Sequence, residues 1–172
     1  YINYTGSDSR AYEYLEKSVK EIIRILKLHN KKIIIKTHPG HSDYDIRPLI
    51  KEIDDTIEIY QDQDVFTFLR SCDCVIALNY STTLLESMIL KKPTMLILPD
   101  DQKFEEELPV KRKATLYVDK ISQIESVLND FLTNKDIRQK LINEGNKFVD
   151  DYFSHKGSAS LNILKIINKY ND

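Results

Sequence analysis

The sequence predicts an α/β fold: one doubly wound, mainly parallel six-stranded sheet with helices on both faces. Three observations carry that expectation. Short β-branched runs alternate with helical patterns from end to end, as in parallel strands joined by crossover helices. The number of strand-like runs, six, suits one doubly wound sheet. The chain of 172 residues is the size of one domain, which buries roughly 70% of the surface its unfolded chain exposes.

Taken in order, strands are expected at residues 2–5, 32–36, 56–60, 74–78, 94–98 and 115–118. Between the first two, Tyr12, Leu15, Val19, Ile22, Ile23 and Leu26 recur at three- and four-residue steps and mark the buried face of a long helix. A shorter helix is expected over residues 46–53, with Pro48 tolerated in its first turn, where the missing N–H would have no partner. Others follow at 65–71 and 84–90, and three more at 121–132, 136–152 and 158–170, broken by Thr133-Asn134 and by His155-Lys156-Gly157. No repeat, low-complexity tract or Pro-rich linker divides the chain, so residues 1–172 are expected to form one domain. The chain starts at Tyr1 and enters a strand-like run at once, which suggests a piece of a longer protein.

Composition narrows the function. A hydrophobic share of 41%, a charged share of 30% and a formal charge of −2 supply no basic excess, which disfavours nucleic acid as a partner. No apolar run nears the ~20 residues of a membrane span, and no signal-peptide pattern opens the chain. A cytosolic location follows, either free or peripheral at the inner face of the membrane. Cys72 and Cys74 have no second pair and no nearby His to complete a zinc site, and read as small apolar filler. No carboxylates have a metal-site spacing.

Ligands of doubly wound sheets bind at the carboxyl ends of the strands. Three such turns carry candidate groups. Gly6-Ser7 would let the backbone approach a ligand, or serve only as a tight turn. Asp8, Ser9, Arg10 and Ala11 lack the glycines of a dinucleotide fingerprint, which disfavours NAD and FAD. His38, stiffened by Pro39, follows the second strand and could donate a hydrogen bond to a phosphate or act as a general acid. Ser81-Thr82-Thr83 lies between the most apolar strand and a helix, where hydroxyls, free N–H groups and the helix dipole favour an anion. Thr83 and Glu86 also have the spacing of a capping box, which leaves the Ser81 and Thr82 hydroxyls for a phosphate. Lys111-Arg112-Lys113 and Glu105-Glu106-Glu107 read as solvated charge.

With His38-Pro39 after the second strand and Ser81-Thr82 after the fourth, the layout resembles the C-terminal, donor-binding domain of GT-B glycosyltransferases, which have two facing Rossmann-like halves. The pairing of a His-Pro and a Ser-Thr motif is similar to bacterial sialyltransferases and related capsule and lipopolysaccharide enzymes that use CMP-linked acidic sugars. The resemblance implies that His38, Pro39, Ser81 and Thr82 contact the nucleotide, chiefly its phosphate, and that Glu86 faces the ribose hydroxyls. Lys91 stands where such domains more often have glycine.

Related groups remain open as alternatives. Retaining enzymes of this fold often carry a second glutamate eight residues before the ribose one, but Leu78 stands there. UDP-N-acetylglucosamine 2-epimerases commonly show Asp-Ser-Gly-Gly where this chain has Asn79-Tyr80-Ser81-Thr82. Glycerophosphotransferases that use CDP-glycerol have a similar arrangement, and a non-catalytic Rossmann-like interaction module is the reading from another class. The resemblance also implies a glycan or lipid-linked acceptor, a missing N-terminal domain that supplies the catalytic base, and a final helix whose residues Ile163, Leu164, Ile166 and Ile167 pack on that domain or on the core. No cofactor or metal beyond the nucleotide-sugar substrate is expected. In this reading His38 and the N–H groups at Ser81-Thr82 stabilise charge on the leaving phosphate.

Overall fold

A computed structural model describes residues 9–38, 45–98, 108–154 and 157–170. Among these, eight helices and five strands alternate as an α/β fold. The longest helix, α1 (Ser9–Leu28), is followed by β1 (Ile34–Lys36), α2 (Arg47–Ile53), β2 (Glu58–Tyr60) and α3 (Val65–Arg70). Then come β3 (Val75–Leu78), α4 (Thr82–Ile89), β4 (Thr94–Ile97), α5 (Leu108–Lys111) and β5 (Leu116–Val118). Three helices close the chain: α6 (Ile121–Thr133), α7 (Lys135–Tyr152) and α8 (Ala159–Lys169).

The expected six-stranded sheet is not what the described residues form. They make two parallel sheets, β1-β2 and β3-β4-β5, and the expected strand at 2–5 lies outside the described residues. The strands are also shorter than their apolar runs. Ile33 and Cys74 pack against core clusters without joining a ladder, because apolar burial extends beyond the residues that face a hydrogen-bonding partner. Helix α5 was not expected, and Lys111, read as part of a charged loop, is its last residue.

The three-stranded sheet is covered on both faces. Along β4 and just past it, Met95 and Ile97 point into one cluster with Ile124, Leu128 and Phe131 of α6, while Leu96 and Leu98 point into another with Leu84 of α4 and Val110 of α5. Strand alternation sends successive side chains to opposite faces, and all four residues of β4 are buried, as in a central parallel strand. Helix α1 joins the two sheets. Its Ile22 and Ile25 pack with the β3-β5 cluster, and its Leu15, Val19 and Ile23 pack with Ile57 and α2 residues over β1-β2. Leu78 touches both clusters.

Helix ends are finished by recurring devices. After α1, α4 and α5 the chain turns through a non-glycine residue with a left-handed backbone: Asn30 (φ 49°), Lys91 (φ 56°) and Lys113 (φ 56°). In each case two amides fold back onto the last turn, as when Lys91 N and Lys92 N donate to the carbonyls of Met88 and Ser87 at 2.9 Å, the Schellman arrangement. Asn134 begins α7 by accepting from the Asp136 and Ile137 amides. Arg138 one turn later donates to the Phe131 and Leu132 carbonyls that end α6. Helix α7 crosses α4 closely at Gly145, where an added Cβ would lie 3.3 Å from Met88 Cγ.

The departure at Lys91 thus carries a conformational cost at an exposed position where the side chain packs on little. Lys91→Gly is expected to stabilise the fold by about 1 kcal/mol, read as a raised midpoint with unchanged slope in urea denaturation.

Candidate functional site

The first turn is built where β1 runs out. Thr37 N donates to the Tyr60 carbonyl at 2.8 Å, which carries the β1-β2 ladder one step further and sets His38 just beyond it. The His38 side chain is half-buried. Lys36, the last residue of β1, donates from Nζ to the Gln61 carbonyl at 2.7 Å. Pro39, Gly6 and Ser7 lie outside the described residues.

The second turn follows β3. Asn79 N donates to the Ile97 carbonyl at 3.0 Å, and Asn79 itself has φ of 79°. Asn and Asp are the non-glycine residues that best tolerate this region, because their short polar side chains bond locally. Here Asn79 Oδ1 accepts from the Tyr80 amide at 2.7 Å. The kink reverses the chain within two residues and delivers Ser81 to the start of α4 in extended backbone.

Ser81 was expected to keep its hydroxyl for a ligand while Thr83 capped the helix. The structure reverses these roles. Ser81 is the N-cap, only 4% exposed, and its Oγ accepts from the Thr83 amide at 3.1 Å. The physical reason is register: α4 begins at Thr82, two residues earlier than its apolar pattern, so the cap falls at Ser81 and the third helical position is Leu84. Leu84 has no carboxylate to close a capping box with, and Glu86 lies beyond its reach. Thr82 is exposed at the first helical position, and neither its amide nor its hydroxyl makes a hydrogen bond among the described residues. Thr83 is half-buried, and its carbonyl accepts from Ser87 Oγ at 2.6 Å.

Glu86, no longer part of a cap, is half-buried on α4. Burial pushes its carboxyl pKa up, the Asp64 carboxylate adds to that, and the Lys36 ammonium opposes it. Lys36 ends β1 and Glu86 lies on the helix after β3, whose Leu78 packs against the same cluster as Ile35 of β1. Asp64 is the N-cap of α3 and accepts from Thr67 N at 2.8 Å and Thr67 Oγ1 at 2.9 Å, which holds its own pKa below the usual range.

Sequence reasoning passed over Asn79, Lys36 and Asp64. For Asn79 a signal existed, since an asparagine between a strand and a capped helix is a natural left-handed residue. Asp64-x-x-Thr67 reads as a cap, but only the packing of α3 against α4 brings it toward Glu86. Lys36 has no local signal.

Elsewhere, a shallow depression of about 550 Å³ runs along α7, lined by Asp136, Gln139, Lys140, Asn143, Glu144 and Lys147 among others. All its lining residues belong to one solvated helix face, and no second element brings chemistry to it. Among the described residues no cluster of His, Cys, Asp or Glu is arranged to hold a metal, and no helix is long and apolar enough to cross a membrane.

Two outcomes test this geometry. Ser81→Ala is expected to cost about 1 kcal/mol of stability and Thr83→Ala less than about 0.5, measured by urea denaturation; the reverse order would return the cap to Thr83. Glu86 binds its proton more tightly in the folded chain than in the unfolded one, so its ionisation penalises the fold as pH rises above its ordinary value of 4.5. Glu86→Gln should therefore raise the thermal midpoint at neutral pH, and the gain should vanish once the pH falls below that ordinary value.

No protein-family model matches the chain, and no curated protein is significantly similar to it.

Proposed function

We propose that this chain is the donor-binding domain of a GT-B glycosyltransferase that takes a nucleotide-activated sugar, CMP-linked in the reading we favour. The observation that carries the reading is that two turns with phosphate-compatible groups follow parallel strands whose packing clusters share α1 and Leu78. His38 follows β1, and the amide and hydroxyl of Thr82 begin the eight-residue α4 after β3. Phosphate oxygens suit both groups, since an imidazole donates a hydrogen bond and a helix N-terminus favours negative charge.

The sheet order is consistent with this. Both sheets are parallel and their strands are joined through helices, as in doubly wound folds, whose ligands bind at the carboxyl ends of the strands. The exposed apolar residues of α8, among them Leu161, Ile163, Leu164 and Ile167, supply a surface for a second, acceptor-binding half.

In this mechanism an acceptor hydroxyl oxygen bonds to the anomeric carbon as the bond from that carbon to the phosphate oxygen breaks. His38 and the Thr82 amide hold the charge that develops on the leaving nucleotide phosphate. The acceptor's proton goes to a base on the acceptor-binding half. Ser81 contributes by holding α4 in place, and Glu86 by facing the ribose.

Calorimetric titration with CMP, CDP and UDP tests the reading. The wild-type chain is expected to bind a cytidine nucleotide in the millimolar range or better. Replacing His38 and Thr82 together by alanine should weaken that binding by about tenfold or more, with folding unchanged by circular dichroism. Equal binding by both proteins would remove these residues from the site, and no binding of any nucleotide by wild type would end the proposal in favour of a non-catalytic module.

A further inference from the structure

Helix α8 buries no residue and makes no extended contact with another helix or strand among the described residues, although it is rich in large apolar side chains. At 3.6 residues per turn, Ile163, Leu164, Ile166, Ile167 and the capping residue Tyr170 fall in one arc of about 160°. None of the five is less than 49% exposed, and Tyr170 reaches 83%. Asn162, Lys165 and Lys169 take the opposite side, and of the large apolar residues only Leu161 falls among them. A contiguous stripe of this kind marks a contact surface, unlike apolar residues scattered singly.

Charge decides what covers it. The exposed faces of α1 and α7 mix both signs and pair Lys17 with Glu13 and Lys147 with Glu144. Helix α8 carries lysine alone. From Phe153 to Asn171 the sequence has no Asp or Glu, in a chain that holds 27 of them. A second protein half or a second copy of the chain would take the apolar stripe but gives the single-sign polar face no partner. An anionic bilayer takes both, because the stripe sinks below the headgroups while the long lysine stems let their ammonium groups reach the lipid phosphates. The length agrees: 11 residues rise about 16 Å, half of a ~30 Å hydrocarbon core, so the helix lies in the plane of the interface and does not cross. Tyr170, with an apolar ring and a polar tip, suits the same depth.

We propose that α8 is an in-plane anchor that seats the domain on an anionic lipid surface. The inference goes beyond the nucleotide-binding reading and stands without it, and it gives α8 to lipid where a second half is the other occupant. The stripe supplies the depth of binding and the lysines its preference for negative lipid. These two contributions lie on opposite sides of the helix and are separable by substitution. Because α8 buries nothing, substitutions on it leave the core intact.

Flotation of the whole chain with vesicles of phosphatidylcholine, alone or mixed with phosphatidylglycerol, tests the proposal. At low salt wild type is expected to bind the mixed vesicles about tenfold more tightly than the neutral ones or better, and to lose that preference at high salt. Replacing Lys165 and Lys169 together by glutamine should weaken binding to the mixed vesicles by about tenfold or more and leave the neutral ones as they were. Replacing Ile163 and Ile167 together by serine should abolish binding to both, with the urea midpoint of the fold unchanged. Wild type that does not bind the mixed vesicles overturns the proposal, and so does wild type that binds neutral and mixed vesicles equally. Full binding by the folded serine variant moves the contact to another surface and overturns it too. A wild-type chain that sediments as a dimer and becomes a monomer with the same serine substitutions gives the stripe to a second copy, which also overturns it.

Discussion

The wide apolar face of α1 is the constraint on which the rest of the structure depends. A 20-residue helix that buries Leu15, Val19, Ile22, Ile23 and Ile25 presents a stripe broader than one sheet can cover. It therefore packs on the clusters of both sheets at once. Leu78, which touches the same two clusters from β3, completes the join. The clusters beside β1 and β3 are thus held in common by α1. Full burial of those α1 side chains is worth about 1.5–3 kcal/mol each.

Given that frame, local backbone chemistry shapes the site. Asn79 adopts a left-handed conformation that most residues avoid, stabilised by its own side chain on the Tyr80 amide. That kink gives α4 an early start, with Ser81 as its buried cap. The cap consumes one free amide of the helix and leaves the Thr82 amide exposed. Strain and a partly buried carboxylate are both unfavourable for folding, and they lie together at one end of the strands.

Much of the fold was legible from period alone. Five of the six expected strands and all seven expected helices correspond to elements of the described residues, since apolar alternation and three-to-four spacing reflect burial directly. Element ends were less legible. Helix α4 was expected to begin at Leu84 because the apolar pattern begins there, whereas a helix starts where its amides find a cap. Helix α5 has only four residues and no pattern of its own. At the site, His38 and Thr82 were legible as groups after strands, while the exchange of roles between Ser81 and Thr83 turned on a two-residue shift that composition does not encode.

By itself, then, the sequence determined the alternation of strands and helices, the buried face of α1, and the placement of His38 and Ser81-Thr82 after strands. These are local properties, carried by side-chain period and by turn chemistry within a few residues. Only the tertiary structure decided that strands β1-β2 and β3-β5 form separate ladders among the described residues, that Ser81 is consumed as a cap, and that α3, headed by Asp64, packs on the helix that carries Glu86. Asp64 and Glu86 are 22 positions apart in sequence, and no local pattern couples groups across such a distance. The packing of α3 on α4 and the hold of α1 on both sheets are long-range consequences of burying one core.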